Sequence, residues 1–290
     1  MKIGIDIGGN HIAIALIDGE KIIQKIEKDI TNEVKLDIEN FLIHNIKNAV
    51  QQLKQKCQEI ELIGISICGI VKNNIIIKSP NLSIEKLDIV NKLNFDIPVI
   101  IRNDTKCAGL AEVKYGSLQD TSEALFLTIG TGIGGAYYLQ GKTLEPKRGS
   151  GLEVGHMVIE KNGCPCKCGR FGCFEQYASI SALKRDVINT LKIEKSITGI
   201  ELLNILKEEQ DKQEIKDIID NYTDYLSIGL SNLINILEPE KISIGGSFVY
   251  YKEILLQKTI DKLCIYNNET TPEIVTAKLK NDAGIIGSIL

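Results

Sequence analysis

One short pattern occurs twice in the chain, at its start and again near its middle. A run of apolar residues leads into Ile7-Gly8-Gly9 and a second apolar run follows, and the same order surrounds Ile133-Gly134-Gly135. Each copy predicts a strand, a glycine turn and an antiparallel strand. Because a pattern repeated at the start of each half indicates duplication of a structural unit, we predict two α/β domains with a cleft between them.

Strand and helix patterns alternate between and after these two copies. Apolar residues at helical spacing predict a helix within Leu36–Cys57, and an unbroken apolar strand follows at residues 62–67. Further strands are predicted at 97–101, 124–129, 136–139 and 241–244, and helices at 105–115, 178–191, 199–208 and 215–237. This alternation, which follows an N-terminal β-meander, is typical of the α/β class.

Charge and hydropathy exclude several classes of partner. The net charge is −4, so the chain has no overall positive charge with which to hold a nucleic-acid backbone. The longest apolar run, Leu62 to Val71, is ten residues long, whereas a membrane-spanning helix needs about 18 or more. Asp6 falls where the apolar core of a signal peptide would begin. We therefore predict a cytoplasmic protein that has neither a membrane nor a nucleic acid as its partner.

Half of the cysteines are crowded into one short segment. Of the eight cysteines, Cys164, Cys166, Cys168 and Cys173 lie within ten residues, and His156 precedes them. Three thiols and an imidazole form the Cys₃His set of structural zinc sites, which leaves no open position for a catalytic water. The spacing predicts zinc on His156, Cys166, Cys168 and Cys173. Cys164 is a rival for one ligand position, and a cluster of free thiols is the alternative to any metal site.

The glycine turns predict contact with phosphate groups. Gly130 to Gly135 matches the spacing of a dinucleotide-binding loop, but the β-like residues Ala136 to Leu139 do not open the helix that such a loop requires. We interpret the two turns as a pair that holds a polyphosphate, with Asp6 steering Mg²⁺ and with Thr131 and Gly132 donating hydrogen bonds. The alternative is that both are ordinary hairpin turns.

Asp104 is the leading candidate for an acid–base group. It lies just after one predicted strand and at the start of the helix predicted at 105–115, a position at which α/β proteins gather ligands. A carboxylate there can accept the proton of an attacking hydroxyl during phosphoryl transfer. The competing role is that of a helix N-cap, and this stretch of sequence alone leaves both roles open.

Taken together, these segments resemble the ROK family of bacterial sugar kinases and related repressors, whose members have the actin-like ATPase fold. The resemblance covers essentially the whole chain, and its zinc segment is the most specific part. The motifs that carry it are Ile5–Gly9, Asn103-Asp104 with Ala108–Glu112, Leu127–Gly135, Glu153–His156 with Gly163–Glu175, and Ile244–Gly246.

The resemblance implies an architecture and an activity. It implies two ribonuclease H-like domains: residues 1–117, against which a C-terminal helix at 282–290 packs, and residues 118–281, which carry the zinc loop. The implied activity is that of an ATP-dependent kinase, which phosphorylates a hexose, glucose first, at its 6-hydroxyl. Mg²⁺ and a structural Zn²⁺ would be its metals, and a homodimer its assembly.

The resemblance also implies roles for individual residues. Asp104 would be the general base, and His156 would bind both zinc and sugar. The sugar ligands would be Gly69, Asn81, Asn103, Glu153, His156 and Glu175. The nucleotide would be bound by Asp6, Gly8, Gly9, Asn10, Gly130, Thr131, Gly132, Gly245 and Gly246. Valine at position 132 is then expected to weaken ATP binding but not sugar binding.

Two departures from the family pattern leave alternatives open. Asn10-His11 stands where the first motif usually reads Thr-Lys, so the usual hydroxyl and cation near the phosphates are missing. Cys68 replaces the proline common before Gly69 in glucokinases, so a kinase of N-acetylmannosamine or another N-acetylhexosamine is an alternative. A sugar-sensing transcriptional regulator is less favoured, because Asp6 leaves no room for an N-terminal helix-turn-helix module. A sugar-binding protein without catalysis is the third possibility.

Overall fold

The computed structural model describes residues 1–57, 59–145, 152–267 and 271–290. Its contacts divide the chain into two compact units. The first contains Met1–Gln119, the described part of Gly141–Gly151 and Asn281–Leu290, and the second contains Asp120–Gln140 and the described part of Leu152–Lys280. Residues 141–145 thus group with the first unit, although the sequence-based boundary assigns them to the second. One contact that holds them there joins Lys106 Nζ to Glu145 Oε2 at 3.1 Å.

The strands follow the chain in short segments, most of them separated by turns or helices. They are β1 (Lys2–Ile7), β2 (His11–Asp18), β3 (Lys21–Asp29), β4 (Leu62–Ile67), β5 (Ile70–Lys72), β6 (Ile75–Lys78), β7 (Val99–Asn103), β8 (Glu123–Ile129), β9 (Ile133–Leu139), β10 (Lys142–Thr143), β11 (Lys241–Gly245) and β12 (Glu273–Thr276). The β5–β6 hairpin, β10 and β12 are additions to the strands predicted from the sequence.

Nine helices lie in the described residues, and the longest of them, Gln213–Leu237, belongs to the second unit. They are α1 (Ile38–Lys54), α2 (Ile89–Leu93), α3 (Asp104–Tyr115), α4 (Glu175–Ala178), α5 (Ile180–Thr190), α6 (Gly199–Glu208), α7 (Gln213–Leu237), α8 (Lys252–Asn267) and α9 (Ala283–Ser288). Short 3₁₀ helices lie at Val34–Asp37, Pro80–Leu82, Val154–His156, Gly246–Tyr251 and Lys280–Asp282. No helix in the described residues is long and apolar enough to cross a bilayer.

The first unit is built on a mixed sheet with the strand order β3-β2-β1-β4-β7. β1 to β3 form the predicted antiparallel meander, whereas β1, β4 and β7 run parallel. The register sets Ile7 beside Ile67 and Ile67 beside Asn103. The carboxyl ends of the three parallel strands therefore lie side by side, which is where ligands collect in α/β sheets.

Helices pack against the sheet of the first unit with periodic faces. The buried residues of α1 recur every three or four positions and join the core around β1 and β4: Ile38, Leu42, Ile46, Ala49, Val50 and Leu53. α9 contacts β1, β4 and α3. A methyl group on Gly64 of β4 would lie 2.0 Å from the carbonyl oxygen of Ser288, so the close approach of α9 requires glycine there.

The second unit repeats this arrangement with different helices. Its sheet contains β9-β8-β11-β12 in that order, with β8 and β9 antiparallel and the other neighbours parallel. α7, the longest described helix, packs against α4, α5 and α8 over an apolar core. The α/β class predicted from the sequence is confirmed.

The second glycine turn is shorter than the sequence predicts. β9 begins at Ile133, so Gly134 and Gly135 lie inside a strand instead of in the turn. Val154 packs over Gly135, where a methyl group would lie 2.7 Å from Val154 Cγ2. The strand predicted after this loop is confirmed, so the loop does not open the helix that a dinucleotide-binding loop requires.

Candidate active site

The parallel strands of the first unit bring an acid and a hydroxyl together. Asp6 in β1 lies beside Ser66 in β4, and the Ser66 hydroxyl donates a hydrogen bond to Asp6 Oδ1 at 2.5 Å. Burial raises the pKa of Asp6, and the Ser66 hydrogen bond opposes that shift in part. Sequence reasoning missed Ser66. Its signal is the one hydroxyl in an otherwise apolar strand, Leu62–Ile67.

Asn103 ends β7 and caps α3. Its side-chain Oδ1 accepts a hydrogen bond from Lys106 N at 3.2 Å, and its Nδ2 donates to Asp104 Oδ1 at 2.9 Å and to Gly69 O at 3.0 Å. The N-cap role, which the sequence left open for Asp104, belongs to Asn103. The carboxylate of Asp104 is therefore not needed as the cap of the helix that it opens.

The environment of Asp104 moves its titration up to the neutral pH range. Burial, followed by the nearby charge of Asp6, raises the pKa of Asp104 to about 7. Hydrogen bonds from Thr105 N, at 2.8 Å, and from Asn103 Nδ2 act in the opposite direction. A carboxylate with a pKa near the working pH is suited to take up and release a proton.

Two further predicted sugar positions lie near these residues. Gly69 has a φ of +143°, and a methyl group there would lie 2.4 Å from Lys78 O, so both the backbone and the space require glycine. Its carbonyl accepts the Asn103 hydrogen bond. Asn81 is exposed and lies beside the first glycine turn, since a methyl group on Gly9 would lie 3.4 Å from Asn81 Cβ.

A lysine from outside the motif lies at the first glycine turn. Gly8 N donates to His11 O at 2.9 Å, and the His11 ring lies against Gly8. Asn10 Oδ1 accepts a hydrogen bond from Lys35 Nζ at 3.4 Å. Lys35 comes from the 3₁₀ helix Val34–Asp37, so no local motif in the sequence points to it.

The two glycine loops of the second unit meet at the ends of neighbouring strands. The register sets Gly245 beside Thr128, and Gly246 has a φ of +72°. A methyl group on Gly246 would lie 2.7 Å from the carbonyl oxygen of Ile129, directly before Gly130. Thr131 is exposed at the tip of its turn, whose Gly130 N–H donates to the carbonyl of Gly132 at 3.0 Å.

The predicted zinc ligands converge in the second unit. The ligand atoms of His156, Cys166, Cys168 and Cys173 all lie within 4.8 Å of one another. His156 Nδ1 is 3.6 Å from Cys166 Sγ, and the sulfurs of Cys168 and Cys173 are also 3.6 Å apart. A tetrahedral zinc with Zn–S bonds of about 2.3 Å separates its sulfurs by about 3.8 Å, so these residues fit the metal. Among the described residues, the group does not include Cys164.

Tight backbone turns make this convergence possible. Cys166 N donates to Arg170 O at 2.8 Å, and Gly169 N donates to Cys166 O at 2.9 Å. Gly169 and Gly172 have φ angles of +85° and +72°, which glycine adopts readily. Burial raises the pKa of the Cys173 thiol to about 12, so a bound cation is what would stabilise its thiolate at neutral pH.

Glu175 connects the metal-ligand group to the second glycine turn. Its Oε1 lies 3.4 Å from Cys166 Sγ and 3.6 Å from His156 Nδ1. A methyl group on Gly132 would lie 2.6 Å from Glu175 Oε2. The side chain of Glu153 is exposed, while its carbonyl accepts the His156 N–H at 3.0 Å. Gly132, predicted to bind phosphate, and Glu175, predicted to bind sugar, are therefore direct neighbours in this unit.

Comparisons with known proteins agree with these motifs. A profile of the ROK family matches residues 2–290. A glucokinase from Thermotoga maritima is 30% identical over 308 residues, which cover 99% of this chain and 95% of that protein. A xylose repressor from Caldicellulosiruptor bescii is 27% identical over 99% of this chain and 76% of its own length.

A solved structure extends the agreement to the fold. The ROK hexokinase from Thermus thermophilus has a TM-score of 0.82 and 27% identity, with coverage of 100% of this chain and 96% of that chain. The α/β architecture, with a mixed sheet in each unit, is that of the actin-like ATPases. The match over nearly the whole sequence and the shared fold establish that this chain is a member of the ROK family.

Proposed function

We propose that this protein is an ATP-dependent hexose kinase that phosphorylates glucose at its 6-hydroxyl. The observation that carries the proposal is Asp104, whose pKa of about 7 suits a general base and whose orientation is set by two hydrogen bonds. The relationship to a glucokinase that is 30% identical favours the same chemistry and glucose as substrate.

The hydrogen bonds of Asp104 indicate which of its oxygens takes the proton. Oδ1 accepts from both Thr105 N and Asn103 Nδ2, so Oδ2 is the oxygen that would face the sugar. The 6-hydroxyl would transfer its proton to Oδ2 as its oxygen attacks the γ-phosphorus of ATP. The bond to the bridging oxygen then breaks, and ADP leaves. Asn103 and Gly69 would hold the sugar, with Asn81 as a further ligand.

The glycine turns supply the nucleotide side of the proposal. Gly8, Gly9 and Asn10, together with the loops at Gly130–Gly132 and Gly245-Gly246, would let phosphate or adenosine groups approach the backbone closely. The donors would be N–H groups other than those of Gly8 and Gly130, which close the turns themselves. Mg²⁺, when bound, would neutralise phosphate charge, and Asp6 is the acid that would orient it. Lys35, held on Asn10, would supply the cation that the first motif lacks.

The metal-ligand group would contribute to sugar binding through His156. His156, Cys166, Cys168 and Cys173 would hold a structural zinc. Since Nδ1 of His156 faces Cys166 Sγ, Nε2 is the ring nitrogen that would meet a sugar hydroxyl. Glu153 and Glu175 would accept hydrogen bonds from other hydroxyls of the same sugar.

A coupled ADP-release screen tests the proposal. Mg-ATP is supplied with about ten hexoses and N-acetylhexosamines, including glucose, N-acetylglucosamine and N-acetylmannosamine, and ADP is measured with and without each sugar. Glucose-dependent ADP release supports the proposal. Faster ADP release with an N-acetylhexosamine than with glucose would identify the N-acetylhexosamine as the substrate. Sedimentation of the same sample tests the proposed homodimer.

A sugar-sensing regulator is the second candidate, because the relatives include a xylose repressor of similar identity. This candidate predicts that sugar binds, as measured by calorimetry, without any ADP release. The same outcome would also be expected of a sugar-binding protein without catalysis. A regulator would bind a specific DNA fragment and release it when the sugar is added. A sugar-binding protein without catalysis would not bind the DNA.

A further inference from the structure

We infer that Asn74 is a positioning residue, which fixes the β5–β6 hairpin against β7 and so holds the sugar-binding residues in place relative to Asp104. The inference rests on the proposed kinase function. Asn74 is far from the motifs of the chain, and its role follows from contacts that the first unit makes within itself.

The tip of the hairpin is a two-residue turn. Lys72 pairs with Ile75, and between them Asn73 and Asn74 have φ angles of 51° and 60°. Two consecutive residues with positive φ form the type I′ turn that suits the twist of a hairpin, and asparagine is common there. The backbone of this turn points the Asn74 side chain toward β7.

Asn74 binds the backbone of β7 with both ends of its amide. Nδ2 donates to the carbonyl oxygen of Val99 at 2.8 Å, and Oδ1 accepts from the N–H of Ile101 at 2.9 Å. β7 is the last strand in its sheet order, so its outer edge presents backbone groups without a neighbouring strand of that sheet. The amide of Asn74 replaces one peptide group of such a neighbour.

The base of the same hairpin is tied to the end of β7. Gly69, directly before β5, accepts the hydrogen bond from Asn103 Nδ2 at 3.0 Å. The two sides of the base are joined because Ser79 Oγ donates to Cys68 O at 2.5 Å. Asn81 follows two residues after Ser79. The hairpin therefore carries two of the proposed sugar ligands at its base and is attached to β7 at both its tip and its base.

These attachments link the hairpin to the proposed base. Asn103 uses one amide nitrogen for both Gly69 O and Asp104 Oδ1. If the tip is released, the hairpin keeps only its attachment at the base, and the base can then shift along β7, which moves Gly69 and weakens the hydrogen bond that orients Asn103. Such a displacement misplaces the sugar relative to the base, and errors of this kind reduce turnover strongly even without loss of a reacting group.

The comparison of Asn74→Gly with Asn73→Gly tests this inference. Glycine accepts positive φ without strain, so both variants keep the turn. Only Asn74→Gly loses the two hydrogen bonds to β7, whereas Asn73 is exposed and serves as the matched control. The measurements are KM for glucose, KM for ATP, kcat, and hydrogen–deuterium exchange of the peptide that contains Val99–Asn103, without substrate.

For Asn74→Gly we expect about a tenfold or larger loss in kcat/KM for glucose, through a lower kcat together with a higher sugar KM. KM for ATP should stay within about twofold, and exchange in the Val99–Asn103 peptide should be faster. Asn73→Gly should match the wild type. The inference is overturned if both variants exchange alike, or if kcat/KM for glucose is the same in both variants. If the wild type phosphorylates no sugar, the kinase proposal fails, and the exchange comparison still decides whether Asn74 holds the hairpin on β7.

Discussion

Asparagine at position 104 removes a titrating carboxylate and keeps its shape. Asp104→Asn preserves an Oδ1 that can accept the hydrogen bonds from Thr105 N and Asn103 Nδ2. The variant can no longer accept a proton from the sugar hydroxyl. We therefore expect sugar binding to survive and turnover to fall by about 10² to 10⁴-fold, the usual contribution of a general base.

The raised pKa of Asp104 predicts how the same substitution changes stability. Its pKa is about 7 in the folded protein and about 3.9 in an unfolded chain. Between these values the folded state holds the proton more tightly, so protonated Asp104 contributes stability at low pH that is lost as the pH rises through 7. A difference of about 3 pKa units corresponds to about 4 kcal/mol, which is an upper value because the carboxylate is only partly enclosed.

Denaturant unfolding at several pH values measures this effect. At pH 8 we expect Asp104→Asn to raise the free energy of unfolding by about 2 to 4 kcal/mol, and the gain should vanish near pH 4. Asp88→Asn is the control for replacing an acid that accepts a backbone hydrogen bond at a helix start, here from Asn91 N at 3.2 Å, and the two variants are compared at each pH. A gain that does not change with pH would refute the electrostatic reasoning, and turnover above a tenth of normal would refute the base assignment.

Three further substitutions test the other parts of the site. Cys166→Ser should lose its zinc, as measured by elemental analysis, and bind sugar about 10 to 100-fold more weakly. Cys164→Ser should keep both its zinc and its sugar affinity. If Cys164→Ser loses zinc and Cys166→Ser keeps it, Cys164 is the ligand in place of Cys166. Lys35→Gln should raise KM for ATP several-fold and leave KM for sugar unchanged. The control is Lys47→Gln, on the exposed face of α1. An equal rise in KM for ATP in both variants would show that Lys35 is not part of the nucleotide site. Gly132→Val, expected from the sequence to weaken ATP binding alone, should also weaken glucose binding, since an added side chain would displace the carboxylate of Glu175. Loss of ATP affinity alone would show that Glu175 does not bind the sugar.

The local features of the protein were accessible from the sequence. Apolar residues at helical spacing located α1 and α7, and the unbroken apolar run located β4, because burial of one face imposes a period on the residues that form it. The metal-ligand group was also predictable, since its four residues lie within 18 positions and short turns bring them together. Such features depend on neighbours in the chain, which a sequence shows directly.

Only the tertiary structure decided the properties that depend on distant residues. The pKa of Asp104 is raised by burial and by Asp6, which lies 98 positions earlier and comes near only because β1, β4 and β7 pair in register. Lys35 meets Asn10, and Asn74 meets β7, only because the folded first unit packs these separate segments together. Burial and electrostatic coupling belong to the packed fold, so the sequence by itself named the chemistry of the site, and the fold determined how its groups are oriented and charged.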